Sequence, residues 1–140
     1  MVRPNPRIRV GIDILAVERV SRLLRENAGI EDEVFTAREI EYCARRARPD
    51  EHLAARFAAK EAVLKAIGTG AARGLRWTDV EILRDAAGRP RVELHGRAAA
   101  YAGARGIRDI DVSLSHAGGL AVAQAAAVCD SDEGASCDST

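Results

Sequence analysis

The chain has 140 residues, and its 21 basic and 21 acidic side chains give a formal net charge of zero. This length suits one domain, and the balanced charge leaves no overall field to attract nucleic acid or an anionic membrane. Aromatic residues make up 4% of the chain and are not interleaved with a basic patch, so we expect no nucleic-acid binding. No secretion leader and no apolar run near the ~20 residues of a membrane span are found. The three cysteines are an odd number without metal-ligand spacing, so we expect a reduced protein of the cytoplasm that binds no membrane.

The periodicity of apolar residues predicts strands and helices in mixed order. In chain order, these are a strand at 8–15, helices at 16–27, 31–48 and 50–67, strands at 77–85 and 89–96, a helix at 96–106, and a strand pair within 110–128. Pro49 should end the second helix, and Asp50 and Gly68 are plausible caps of the third. The glycine pair at 118–119 should form the turn between the last two strands.

We expect these elements to form one α+β domain at residues 8–128, because helices and antiparallel hairpins in mixed order are typical of this class. Residues 1–7 contain two prolines and predict a flexible extension. Residues 129–140 are acidic, small and almost without apolar side chains, so they predict a disordered tail.

The predicted helix at 50–67 carries the only two lysines of the chain, Lys60 and Lys65, whereas the other 19 basic residues are arginines. Lys60 falls within the apolar stripe of the helix, and since a buried unpaired ammonium is costly, it should have an acidic or carbonyl partner or open onto a cavity. Glu61 and Lys65 are four residues apart, which is also the spacing of an ordinary surface ion pair. The Gly68-Thr69-Gly70 segment favours a functional interpretation, because its glycines let backbone amides approach a phosphate closely.

Asp13 is a second acidic residue of interest, at the end of an otherwise apolar strand. It could simply cap the following helix. If it meets Glu61 across the fold, however, two carboxylates can bind Mg²⁺ while leaving most coordination positions to water and a substrate phosphate. Lys65 would then place a compact ammonium on the same phosphate, a position less suited to a wide planar guanidinium.

The segment SLSHAGG at 113–119 places Ser113, Ser115 and His116 at the end of a strand beside a glycine turn. Ligands often bind at such turns, although a lone histidine there is also typical of a solvated loop. A Ser-His-Asp nucleophile triad is disfavoured, since the chain has no G-x-S-x-G elbow and Ser115 is adjacent to His116.

Together, three motifs resemble the short type of 4′-phosphopantetheinyl transferase, the holo-acyl-carrier-protein synthases. The first is VGIDILAVERV at 10–20, the second is RFAAKEAVLKAIGTG at 56–70, and the third is SLSHAGG at 113–119. The segment LRWTDVEILRDAAGRPRVEL at 75–94 is also similar to a hairpin of this family. The resemblance covers residues 8–128, and the second motif is the most specific of the three.

The resemblance implies an enzyme that moves the phosphopantetheine arm of coenzyme A onto a serine of an apo carrier protein and releases adenosine 3′,5′-bisphosphate. It implies that Asp13 and Glu61 bind Mg²⁺ and that Lys65 binds the pyrophosphate. Glu61 or a metal-held water would activate the serine, and the sequence leaves both open. The family's coenzyme A positions correspond here to Arg56, Lys65, Gly68, Thr69, Gly70, Arg89, Pro90 and His116, and its catalytic positions correspond to Asp13, Glu61, Lys65 and His116.

The family also docks the acidic recognition helix of its carrier protein on a basic helix, which implies that Arg19, with Arg22 and Arg25, contacts the acyl carrier protein. Without such a partner, these arginines would only keep an exposed helix in solution. The short type further implies a homotrimer in which each site is shared across a subunit boundary. The carrier could serve fatty-acid, polyketide or peptide synthesis.

Two other classes of function remain open. One is a different Mg²⁺-dependent phosphotransferase, but the chain has no G-x-x-x-x-G-K-[ST] motif, and its Gly-Thr-Gly follows its helix instead of preceding it. The other is a non-catalytic module that binds a carrier protein with the same fold. The presence of Asp13, Glu61, Lys65 and His116 together argues for the enzyme.

Overall fold

The computed structural model describes residues 5–69 and 74–130. Its elements are β1 (Arg7–Ala16), α1 (Val17–Glu26), α2 (Ile30–Val34), α3 (Ala37–Ala44), α4 (Pro49–Ile67), a 3₁₀ turn (Trp77–Asp79), β2 (Val80–Arg84), β3 (Pro90–Leu94), α5 (Gly96–Ala104), β4 (Ile107–Ala117) and β5 (Leu120–Cys129). Helices and antiparallel strands follow one another in mixed order, which confirms the predicted α+β class. Within this part of the chain, no helix is both long and apolar enough to cross a membrane.

The described strands form two antiparallel sheets, a three-stranded sheet in the order β1-β5-β4 and the β2-β3 hairpin. In the larger sheet Asp13 pairs with Ala123, and Ala123 pairs in turn with Leu114. The first motif therefore lies on one edge strand and the third motif on the other. Neighbouring strands are about 4.8 Å apart, so these two edges are roughly 10 Å from each other.

Helix α4, which carries the second motif, is the centre of the core. Twelve of its 19 residues are buried, and half of the buried residues are alanines. They face the alanines that β5 turns inward, all of which are at most 1% exposed: Ala121, Ala123, Ala125 and Ala127. Small side chains on both surfaces let the helix lie close to the sheet, so groups on α4 and on the strands come within reach of one another.

The alternating apolar residues of β1 point away from this core. Their side chains are 59–73% exposed: Ile8, Val10, Ile12 and Ile14. The intervening residues face α4, among them Gly11 and Asp13. The sequence predicted an apolar strand here, and the structure adds that its apolar face lies on the open side of the sheet, where a partner could cover it.

The second predicted helix and the predicted N-cap of α4 are wrong. Residues 31–48 contain two helices, because Thr36 and Glu39 form a capping box that begins α3 in the middle of this segment. Pro49 begins α4, since its fixed backbone angle suits the first helical turn. Asp50 therefore lies inside that turn, where an acidic side chain favours the helix dipole.

The other boundaries agree closely with the sequence prediction, except that residues 77–79, predicted as the start of a strand, form the 3₁₀ turn before β2. Gly68 ends α4 as its predicted C-cap, in the left-handed conformation with φ of 84°. Because β1 begins at Arg7 and β5 ends at Cys129, the paired strands extend one residue beyond each end of the predicted domain. The predicted tail from residue 131 onward lies outside the described residues. Cys129 is a free thiol, as is Cys43.

Candidate active site

The structure brings Asp13 on β1 together with Glu61 and Lys65 on α4. Nζ of Lys65 lies 3.2 Å from Oδ1 of Asp13 and donates a hydrogen bond to the backbone carbonyl of Ile12 at 2.9 Å. Among the described residues, the carboxylate within ion-pair distance of Lys65 is that of Asp13, not that of Glu61 four residues earlier. The contact therefore joins two elements across the fold and is not the ordinary surface pair that the spacing also allowed.

Burial and the neighbouring Asp13 disfavour the charged form of Glu61. Burial, followed by the negative charge of Asp13 and a hydrogen bond with it, raises the pKa of Glu61, while Lys65 and Arg19 oppose the shift. Oδ2 of Asp13 is buried and has no hydrogen-bond partner within the described residues. A buried acceptor without a partner is costly, and a cation bound between the carboxylates would relieve both effects. The two acidic side chains therefore fit a hard divalent cation such as Mg²⁺.

These carboxylates lie in the wall of a groove of about 520 Å³. Arg19 and Arg22 of α1 line the same groove, and its apolar lining comes from Ile14, Leu15, Val20, Leu23 and Phe57. Arg25 instead forms an exposed ion pair with Glu18 at 3.1 Å. The structure thus groups two of the three predicted carrier-binding arginines with the acidic pair and places the third on another flank of α1.

Arg56 belongs to a second, strongly basic cluster beside the N-terminal half of α4. Its side chain is buried, with 2% of the residue exposed, and its guanidinium lies 4.1 Å from the centroid of the Tyr42 ring. Arg46 lies at the same distance from this ring and Arg84 at 5.5 Å. Nε of Arg56 has no hydrogen-bond partner within the part of the chain that the structure describes. The three guanidinium groups concentrate positive charge beside α4, and positive charge of this kind favours a phosphate.

His116 lies at the edge of this basic cluster. Its Nδ1 is 3.5 Å from Oε2 of Glu51, and its ring packs edge-on against His52 with 5.6 Å between centroids. Burial, and then the positive charge of Arg56, lowers the pKa of His52. Glu51 precedes Glu61 by ten residues, which is about 15 Å along a helix with a 1.5 Å rise. Within one chain, His116 is therefore separated from the acidic pair.

A third feature is a cavity of about 430 Å³ beside the β2-β3 hairpin. The predicted coenzyme A positions Arg89 and Pro90 line it, together with Arg84 and Asp111. The guanidinium of Arg89 lies 3.9 Å from the Asp111 carboxylate across the cavity. Because Arg84 belongs to both the cavity and the basic cluster, the two features form one continuous surface.

The glycine segment that follows α4 is described as far as residue 69. The backbone carbonyl of Gly68 accepts a hydrogen bond from the Tyr101 hydroxyl at 3.3 Å, and the Arg105 guanidinium packs against the same glycine. Thr69 is buried. Gly70, the last predicted coenzyme A position of this segment, lies outside the described residues.

Lys60 has the internal partners that its position in the apolar stripe predicted. Its ammonium is fully buried and donates to Oε1 of Glu39 at 2.7 Å, and to the backbone carbonyls of Trp77 and Val80. The other Glu39 oxygen accepts the backbone amide of Ile82. Burial lowers the pKa of Lys60, and Glu39 opposes that shift. Lys60 therefore ties α4 to α3 and β2 and is not part of the groove.

An acidic cluster on the hairpin is a separate feature. Potential metal-ligand atoms of Glu81, Glu93 and His95 lie within 4.8 Å of one another, but Arg38 already forms ion pairs with both carboxylates. Burial of Glu81 is outweighed by hydrogen bonds from Arg38, Thr36 and His95, which bring its pKa to about 2. A cation would have to displace the guanidinium, so this cluster is an ion-pair network and not the predicted metal site.

The sequence interpretation missed Tyr42, Arg46 and Arg84, which surround Arg56. Arginine supplies 19 of the 21 basic residues, so one more arginine carries little information about a site. The tyrosine lies on α3 and becomes part of the cluster only when α3 packs on α4. None of these three positions lies in a local sequence pattern that could have predicted its role.

The fold and the acidic site define a protein that holds two carboxylates and a lysine in a groove between a strand and a helix. Residues 9–125 match the family model of the 4′-phosphopantetheinyl transferase superfamily, and the chain belongs to that superfamily. It is 47% identical over 114 residues to the holo-[acyl-carrier-protein] synthase of Geobacter sulfurreducens, which covers 81% of this chain and 90% of the relative. It is 48% identical over 118 residues to the Moorella thermoacetica synthase, covering 84% and 91%.

Solved structures show the same relationship. The chain is similar to the holo-acyl-carrier-protein synthase of Plasmodium yoelii, with a TM-score of 0.78 and 32% identity over 91% of this chain and 99% of that chain. It is also similar to the complex of the Chronobacterium ammoniagenes synthase with coenzyme A, with a TM-score of 0.76, 28% identity, and coverage of 90% and 99%.

Proposed function

We propose that this protein is an enzyme of the cytoplasm that transfers the 4′-phosphopantetheine arm of coenzyme A to a serine of an apo acyl or peptidyl carrier protein. The observation that supports this most is the meeting of Asp13 and Glu61 in the groove, with Oδ2 of Asp13 buried and unpaired among the described residues. The synthase relatives support the same activity, because this chain aligns with most of the length of each.

Asp13 and Glu61 are the side chains that would hold Mg²⁺, which when bound neutralises charge on the pyrophosphate of coenzyme A. Lys65, held beside Asp13, binds a phosphate oxygen of the same pyrophosphate as a compact point charge. The carrier serine oxygen attacks the phosphorus that bears the pantetheine arm, and the bond to adenosine 3′,5′-bisphosphate breaks. The serine proton passes to Glu61, either directly or through a water.

We place the nucleotide end of coenzyme A on the basic cluster and the adjoining cavity. Arg56 has an unused donor within the described residues, and the guanidinium groups of Arg46 and Arg84 face the same tyrosine ring. Arg89 and Pro90 continue this surface along the hairpin. The basic groups neutralise the phosphates that leave with the nucleotide, and His116 adds a contact at the edge of the cluster.

The enzyme acts as a homotrimer with sites completed by a neighbouring subunit. Two observations support this assembly: the apolar face of β1 is open in a single chain, and His116 is separated from Glu61 by about 15 Å of helix. Mixing a Glu61→Ala variant with a His116→Ala variant, each with reduced activity alone, tests the sharing. Mixed assemblies would contain some sites with an intact Glu61 from one subunit and an intact His116 from its neighbour, so part of the activity should be recovered. No recovery after subunit exchange would mean that the whole site lies in one chain.

Transfer itself is tested by mass spectrometry. The protein is incubated with coenzyme A, Mg²⁺ and an apo acyl carrier protein, and the carrier should gain the mass of one phosphopantetheine arm. Asp13→Ala and Glu61→Ala should stay folded and lose about 100-fold or more of the rate, because each removes half of the proposed cation site. A carrier that binds without gaining mass would indicate the non-catalytic module, and normal rates in either variant would remove the two-carboxylate site.

The carrier surface is tested on α1. Reversing Arg19 and Arg22 to Glu should raise the KM for the carrier several-fold and weaken its salt dependence, since these arginines line the groove. Arg25→Glu is the matched control and should have a smaller effect, because Arg25 is already paired with Glu18. Equal carrier KM values in all three proteins at low salt would show that the arginines only keep the helix in solution.

A further inference from the structure

Strand β1 and helix α4 come closest at Gly11, two residues before Asp13. A Cβ atom on Gly11 would lie 2.0 Å from the backbone oxygen of Ala62 and 2.8 Å from the backbone nitrogen of Ala66. Both separations are shorter than a Cβ atom can tolerate, and both neighbours are backbone atoms that no side-chain rotation can move away. Any other residue at this position would force the strand and the helix apart.

Space, and not backbone conformation, is what requires a glycine here. The described glycines with positive φ include Gly68 and Gly88, but Gly11 is not among them. Its backbone is that of an ordinary strand residue paired with Ala125. A substitution at Gly11 would therefore act through the contact with α4 and not through strain in β1 itself.

The tight contact lies in the middle of the acidic site. Ala62 is adjacent to Glu61, and Ala66 is adjacent to Lys65, so the helical turn that touches Gly11 carries both functional side chains. Asp13 follows on the same face of β1 and already pairs with Lys65. The helix-to-strand spacing at Gly11 thus controls the spacing between the Asp13 carboxylate and the two side chains of α4.

We propose that Gly11 is a positioning residue for the acidic site: it lets α4 rest directly on β1, which holds Glu61 close enough to Asp13 for both to bind one divalent cation. This inference rests on the proposed function. An ordinary van der Waals contact begins near 3.4 Å, so relief of the 2.0 Å contact requires a shift of 1.4 Å. A misplacement of about 1 Å is enough to cost an enzyme 100-fold in rate.

Gly11→Ala tests this role, with Gly103→Ala as its matched control. Gly103 also has no positive φ, and a Cβ atom there would meet nothing within 4 Å. Three quantities are measured on each protein: the Mg²⁺ concentration for half-maximal transfer, the affinity for Mn²⁺ alone by electron paramagnetic resonance, and the thermal unfolding midpoint. The Mn²⁺ measurement needs neither substrate, so it reports the acidic site directly.

For Gly11→Ala, the Mg²⁺ requirement should rise and the Mn²⁺ affinity should fall by about tenfold or more, because the carboxylates no longer share a cation. Gly103→Ala should match the wild type in both. A Gly11→Ala protein that loses only thermal stability, with unchanged Mg²⁺ and Mn²⁺ values, would reduce Gly11 to a packing residue and overturn the proposal.

Two further outcomes are separated by the same design. If Gly11→Ala does not fold, Ala66→Ser makes a smaller change in the same helical turn and should weaken Mn²⁺ binding by about threefold; wild-type affinity in that variant would overturn the proposal. If the Glu61→Ala variant binds Mn²⁺ as tightly as the wild type does, the proposed metal site itself fails, and the role of Gly11 fails with it.

Discussion

Lys60 and Lys65 lie five residues apart on α4, but their surroundings differ completely. Lys60 is fully buried and donates to one carboxylate and two backbone carbonyls, so its network is closed. The side chain of Lys65 is 54% exposed and meets Asp13, whose second oxygen has no partner in the described structure. The closed network holds three elements together, whereas the open one keeps ligand-binding capacity.

This difference shows how a charged side chain with a structural role can be distinguished from one with a functional role. A buried ion pair with every donor and acceptor satisfied contributes to a single folded arrangement and offers nothing to a substrate. Burial, and then the charge of Asp13, raise the pKa of Glu61, so its charged form is unfavourable in the free protein, and a bound cation would remove that penalty. On α4 the first arrangement is structural and the second is functional, and three predictions test this division.

The largest effect is expected from Glu39→Gln. It leaves the buried Lys60 ammonium without its counter-charge, so the free energy of unfolding should fall by about 3–5 kcal/mol. Glu41→Gln on the same helix is the control, because its ion pair with Arg45 is exposed and contributes about 0–1 kcal/mol. Urea unfolding measures both. A loss below 1 kcal/mol in Glu39→Gln would show that the buried pair is not structural.

A smaller effect is expected from Lys65→Arg. The planar guanidinium cannot occupy the position of the ammonium beside Asp13, so kcat should fall by about tenfold, equivalent to about 1.4 kcal/mol in the barrier. Arg45→Lys, the reverse exchange at an exposed ion pair, should leave kcat unchanged. Steady-state transfer kinetics compare the two. Full activity in Lys65→Arg would mean that only the charge at position 65 matters.

The smallest effect concerns stability and pH. Because the folded protein raises the pKa of Glu61 above its ordinary value of 4.5, this group stabilises the fold fully below that value, and the stabilisation is lost as pH rises through the folded pKa. Glu61→Gln should therefore be more stable than the wild type at pH 7, by no more than about 1 kcal/mol because the site is partly exposed. The difference should vanish near pH 4. Urea unfolding that shows the variant less stable at pH 7 would contradict the repulsion between the carboxylates.

Much of this division could be predicted from the sequence, because both lysines lie on a long helix with strong periodicity. The spacing placed Lys60 in the apolar stripe and Lys65 with Glu61 at its border. Asp13 was expected at the end of its strand, but it lies within β1 and faces α4. The motifs of the family then paired Asp13 with Glu61. These inferences need only local periodicity and a known pattern.

The remaining features depend on contacts that no local pattern contains. In the sequence, Glu39 resembles an ordinary exposed acidic residue. It is the buried partner of Lys60 because α3 packs on α4. Thr36 divides a continuous helical pattern by capping α3. The sequence around Gly11 does not predict a turn, and only the close contact with the backbone of α4 explains why a glycine is needed there. Such roles are determined by tertiary packing, which local propensity does not encode.

The most direct test compares Lys60→Met with Lys65→Met, the same substitution at both positions of one helix. Unfolding free energy and the transfer rate of the folded protein are measured for each. Lys60→Met should lose about 3–5 kcal/mol of stability and keep the rate within about threefold, whereas Lys65→Met should keep its stability within about 1 kcal/mol and lose at least about tenfold in rate. Parallel losses of stability and rate in both variants would contradict the separation of a structural and a functional lysine.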